Sequence, residues 1–153
     1  MHSGMKLKGN IEKNVKIRWC KVIKGESFHT RCHINNKVCS IIIGSESYDN
    51  TANITFVRKL NLNTIKHERP YRLQWLNDYG EVRITKWVLI SFSIVKYKDD
   101  VLCDVVLIHA THLLLGRLWQ FNRKAKHDEL KNMYSLKEDG KTFTLVPLSL
   151  RQV

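Results

Sequence analysis

The stretch Ile41-Ile42-Ile43-Gly44-Ser45-Glu46-Ser47 decides the reading of this chain. It closes a β-branched run, Val38-Cys39-Ser40-Ile41-Ile42-Ile43, with no alternation of apolar and polar residues, as in a strand buried on both faces. The run breaks abruptly at Gly44 into a polar loop. Just upstream, Phe28–Ile34 and Lys37–Ile43 flank Asn35-Asn36. Asparagine tolerates the positive φ of a two-residue hairpin turn, so these residues predict a hairpin.

Downstream, Ile54, Val57 and Leu60 recur at roughly helical spacing behind the capping-type polar residues of Asp49-Asn50-Thr51-Ala52-Asn53, which predicts a short helix or helical turn closed by Leu62. Asp49 is read there as an N-cap or a surface acid. Residues 72–76 and 81–85 bracket the turn formers Asn77-Asp78-Tyr79-Gly80, a second hairpin. Val88, Ile90, Phe92 and Ile94 prolong its second strand by alternation, and Lys96-Tyr97-Lys98-Asp99-Asp100 is expected to turn the chain back into residues 101–108. Thr111-His112-Leu113-Leu114-Leu115 reads as another buried strand, stopped by Gly116, and 117–121 leaves room for one helical turn. Asp139-Gly140 between 134–137 and 142–146 predicts a terminal hairpin. Trp87 and Trp119 stand at positions where large rings fill a β core. Many short strands and little helix make the fold class all-β, mainly antiparallel and closed.

Length and charge narrow the function. The chain's 153 residues suit one domain; residues 1–26 mix Lys, Asn and Gly with one short alternation over 15–23 and read as a leader of open structure, loosely attached or adding an edge strand, with 27–153 as the domain. Lys plus Arg number 26 against 14 Asp plus Glu, a formal charge of +12 that attracts polyanions in a salt-dependent way. The basic residues are spread along the chain and do not line one helix, so non-specific nucleic-acid affinity is expected rather than base readout. No apolar run reaches the roughly 18 residues of a membrane span, and the first residues lack the apolar core of a secretion signal. No membrane association and an intracellular, cytoplasmic location are therefore expected, with Cys20, Cys32, Cys39 and Cys103 as free thiols. His29, Cys32, His33 and Cys39 contain no second close-set ligand pair for a structural metal. The isolated glycines build no phosphate-cradling loop, and cofactors are expected to be none. A nucleophilic Cys39 or Cys103, served by His109 or His112, is disfavoured because a cysteine in a buried apolar strand is inert.

From Phe28 to Val153 the chain resembles the protease region of gypsy-type LTR retrotransposon gag-pol polyproteins, particularly those of plants. The resemblance rests on residues 35–43, on Leu73-Gln74-Trp75-Leu76-Asn77-Asp78, on Val101-Leu102-Cys103-Asp104-Val105-Val106 and on residues 112–121. It implies a retropepsin-like aspartic protease domain, that is, a closed β-barrel with one or two short helices. It also implies an aspartic-type endopeptidase hydrolysing peptides in a cleft. Such a chain brings one of two carboxylates that share a proton, so a homodimer is implied, with the site on its two-fold axis. In the family the apolar strand leads into Asp-Ser/Thr/Gly-Gly; here those places hold Gly44-Ser45-Glu46. The loop Gly44, Ser45, Glu46, Ser47 thus lacks the catalytic aspartate, and the resemblance implies a pseudoenzyme. Glu46 would be a poor substitute, because it stands where the family wants a glycine for a tight turn. Asp49 lies further on still. The resemblance further makes Trp75, Leu76, Asn77, Asp78, Tyr79 and Gly80 the flap over a bound peptide. Leu113, Leu114, Leu115, Gly116 and Arg117 become the strand supporting the loop, with Leu118 where a proline is usual. The rival reading is a non-catalytic module that binds peptide or nucleic acid.

Overall fold

The computed structural model describes residues 28–45, 47–74, 81–107 and 111–148. β1 (Phe28–Ile34) and β2 (Lys37–Ile43) pair antiparallel around Asn35-Asn36, whose φ angles of 51° and 63° are those the turn requires. Ile41, Ile42 and Ile43 are fully buried because β2 sits between β1 and β7 (Leu113–Leu115). Between them in sequence come β3 (Thr51–Asn53), α1 (Ile54–Lys59), β4 (Thr64–Gln74), β5 (Glu81–Ile94) and β6 (Tyr97–Val106). α2 (Arg117–Asn122), β8 (Lys126–Asp128), β9 (Met133–Glu138) and β10 (Lys141–Leu145) complete the described residues.

Strands β1-β2-β7-β3-β6-β5 are hydrogen-bonded in that order, and the His33–Ser93 pairing of β1 with β5 closes the ring into a six-stranded barrel. β4 extends the sheet outward from β5. The β2–β7 and β3–β6 pairs are parallel and the others antiparallel. A separate three-stranded sheet, β10-β9-β8, carries Tyr134, Leu136 and Leu145 into the same core, where Tyr134 meets Phe28 edge-on at 5.2 Å. Its hairpin turns at Asp139-Gly140 with φ of 50° and 77°.

Three expectations need correction. The helix cap is Asn53, whose Oδ1 accepts from the Thr55 and Phe56 amides, and Asp49 lies upstream of β3. Asn53 won because β3 consumes Thr51 and Ala52 before the helix can start. Leu62 does close α1: its amide bonds to Val57 O while Asn61, at φ 56°, bonds to Arg58 O, a Schellman end. The turn after β5 is Val95-Lys96, with Ile94 facing Tyr97, so Tyr97–Asp100 belongs to β6. Val95 carries φ 55° at 88% exposure, a conformation no β-branched side chain signals. Finally, Trp119 is core at 1% exposure but Trp87 is only half-buried. Trp87 faces Ile65 and Asp104 across its neighbours and so stands on the outer side of β5, opposite to Val88 and Ile90.

Candidate functional site

β2 delivers Gly44 to the inside of the barrel end, where it is buried and donates its N–H to Leu115 O at 3.0 Å. β7 runs parallel to β2 and antiparallel to β3, filling the gap between the two strands that the loop connects. The loop then folds over Gly116. Arg117 N–H donates to Ser47 O at 2.8 Å, Leu118 N–H to Tyr48 O at 2.9 Å, and Gly116 N–H to Asn50 Oδ1 at 3.0 Å. A Cβ on Gly116 would fall 2.5 Å from Tyr48 O and 2.6 Å from the carbonyl oxygens of Asp49 and Ser47, so only glycine fits. The Arg117 guanidinium lies 5.6 Å from the Tyr48 ring centroid. Leu118 makes its bond to Tyr48 through an N–H that proline lacks.

Of the loop residues singled out in the sequence, Ser45 is exposed and Ser47 is buried, its Oγ donating to Asp49 O at 3.4 Å. Glu46 and the residues expected as a flap, Trp75, Leu76, Asn77, Asp78, Tyr79 and Gly80, lie outside the described residues; β4 and β5 on either side of 75–80 pair Gln74 with Glu81. Gly44 brings no carboxylate to the barrel end.

A second cluster was not legible as one. Asp104 on β6 is buried and accepts from Trp87 Nε1 at 2.9 Å and from Tyr71 Oη at 2.6 Å. His67 Nδ1 accepts from the Arg69 amide, so the hydrogen-bond pattern assigns the proton to Nε2, which donates to Asp104 Oδ1 at 3.0 Å. The His67 and Trp87 rings lie 4.3 Å apart, and Tyr71 meets His67 at 5.8 Å. These groups, with Asp49, Leu102 and Leu118, line a pocket of about 320 Å³. Burial pushes the Asp49 carboxyl up to about 6, helped by the neighbouring Asp104 and opposed by His67. No hydrogen-bond donor among the described residues reaches that carboxyl.

The other candidate chemistry disperses. Cys32, Cys39 and Cys103 are free, buried thiols. Burial and the adjacent Cys39 push Cys32 up to about 12; burial also raises Cys39 and, with Asp104 beside it, Cys103. His112 stacks on Phe56 at 4.7 Å, and its Nδ1 accepts from the Ser40 amide at 3.0 Å, which spends that nitrogen structurally. No group of His, Cys, Asp and Glu among the described residues is arranged to hold a metal ion. No helix among them is long and apolar enough to cross a membrane.

No protein-family profile matches the chain, and no curated protein matches it in sequence. Solved structures do. The retroviral protease-like domain of Ddi1 from Leishmania major superposes with a TM-score of 0.58 at 11% identity, over 83% of this chain and 94% of that one. A retropepsin-like aspartic protease from Rickettsia conorii gives a TM-score of 0.48 at 18% identity, over 78% of this chain and 84% of that one. From the first likeness and from its own closed barrel, the chain has the retropepsin-like fold.

Proposed function

We propose that this chain is a retroelement-derived aspartic endopeptidase domain that keeps the retropepsin-like fold and has lost its catalysis. The observation that carries the reading is the buried Gly44, at the end of the apolar strand β2 and held by Leu115, where the resemblance calls for the catalytic aspartate. A dyad of carboxylates sharing one proton activates the water in this chemistry, and Gly44 gives neither half of a homodimer its share. Gly44, Ser45, Glu46 and Ser47 are then a degenerate catalytic loop, residues 113–117 its support, and 75–80 a flap over a peptide cleft. Residues 27–153 form the working unit and 1–26 a leader.

The test is the double substitution Gly44→Asp with Glu46→Gly. Incubated near pH 5, within the range where such dyads hold one proton, the double variant is expected to cleave an unstructured substrate in a manner blocked by a transition-state-analogue inhibitor of aspartic proteases. The parent is expected not to cleave. Inhibitor-sensitive cleavage by the parent would refute the loss of catalysis, and a variant that dimerises without cleaving would refute Gly44 as its sole cause. The +12 charge favours, as a second reading, a nucleic-acid-binding module; heparin or RNA binding that persists well above physiological salt would support it.

A further inference from the structure

We infer that the pocket between Asp49 and the Asp104-bound rings is a recognition site for a basic peptide side chain, arginine in preference to lysine. This stands on the pocket itself and is independent of whether the barrel ever cleaved peptides.

The two carboxyls of the pocket do different work. Asp104 is saturated: His67, Tyr71 and Trp87 all donate to it. Those bonds come from β4 and β5 and lock three rings into one wall, leaving little freedom to lose when a ligand arrives. The Asp49 carboxyl, on the loop before β3, receives no hydrogen bond from the described residues. A carboxyl with no donor among the described residues, lining a half-buried pocket, favours a cation, and no lysine or arginine among the described residues lines the pocket to supply one. This is notable in a chain whose net charge is +12.

The remaining walls select the kind of cation. Leu102 and Leu118 offer apolar surface for an aliphatic stem, and the Trp87 ring lines the pocket as an aromatic surface for a planar guanidinium. Guanidinium also matches a carboxylate with two parallel donors, which ammonium cannot do. A hydrated metal ion would leave the apolar walls unused, and a phosphate would be repelled by Asp49. Beyond the pocket, Ile65 and Leu89 stand on the same outer face of β4 and β5 as Trp87, at 56% and 59% exposure. They extend the surface for apolar residues flanking the arginine, so the occupant is a peptide segment rather than a free amine.

Nα-acetyl-arginine amide, titrated into the full chain and followed by the Trp87 indole N–H in ¹H–¹⁵N spectra, tests this directly. A saturable shift is expected, weakened about ten- to a hundredfold by Asp49→Asn and by replacing the probe with Nα-acetyl-citrulline amide, which keeps the shape and loses the charge. Leu102→Lys, at a 41% exposed position on the rim, is expected to block binding with its own ammonium while leaving the fold intact. The proposal fails if citrulline binds as well as arginine, if Asp49→Asn binds unchanged, or if no saturable shift appears by roughly 10 mM probe. Self-association of the chain that disappears in Asp49→Asn would overturn the free peptide in favour of a second copy as occupant.

Discussion

A single methyl group at Gly116 would collide with three backbone carbonyls at once, none of which is the flexible end of a side chain. Gly116→Ala is therefore expected to destabilise the protein by roughly 3 kcal/mol, the upper range for overpacking, read as a fall in the urea midpoint. Asp49 makes the opposite prediction. Its carboxyl titrates at about 6 when folded against an ordinary value of 3.8. The folded state therefore holds that proton more tightly, and stability is lost as pH rises from about 4 through about 6. Asp49→Asn removes that loss, so it should raise the unfolding free energy above pH 7 by about 1–3 kcal/mol and leave it unchanged near pH 3.

At the scale of elements, the β5–β6 turn stores the clearest strain. Val95 adopts φ 55° in the open, where glycine or asparagine would sit without penalty. Val95→Asn is expected to raise the thermal midpoint, by an amount corresponding to about 1 kcal/mol. The Leu118 amide ties α2 to the loop through Tyr48 O, so Leu118→Pro should cost about 1 kcal/mol if the ring is otherwise accommodated, measured by the same denaturation. Elements whose signal is local were legible: Asn35-Asn36 and Asp139-Gly140 each specify a turn within a few residues. The Val95 turn was not, because strand pairing imposes a conformation that its side chain does not advertise. Asp49 is not the helix cap for a related reason, since the parallel pairing of β3 with β6 takes up Thr51–Asn53 between it and the helix.

Across the whole molecule, Asp99 fastens the barrel to the second sheet. On β6 it accepts from Trp119 Nε1 at 2.9 Å and from Arg123 Nε at 2.8 Å, both on the segment leading into β8. Burial raises the Asp99 carboxyl, but the hydrogen bonds from Arg123, Tyr97 and Trp119 outweigh it and hold it below its ordinary value. A depressed carboxylate contributes stability above the ordinary carboxylate range, and that contribution is lost as pH falls through its folded value. Asp99→Asn should therefore destabilise by about 2 kcal/mol at pH 7 and much less in acid, read by denaturant unfolding at the two pH values.

The sequence by itself determined the all-β class, the terminal and first hairpins and the buried run into Gly44, because each depends on residues within one turn or one strand of each other. Only the tertiary structure decided that the barrel closes through His33 and Ser93, and that Trp87 faces outward. It likewise assembled one pocket from Asp49, His67, Tyr71, Trp87 and Asp104. Those residues span three strands and a loop, and their meeting is a matter of strand register, which local composition does not encode.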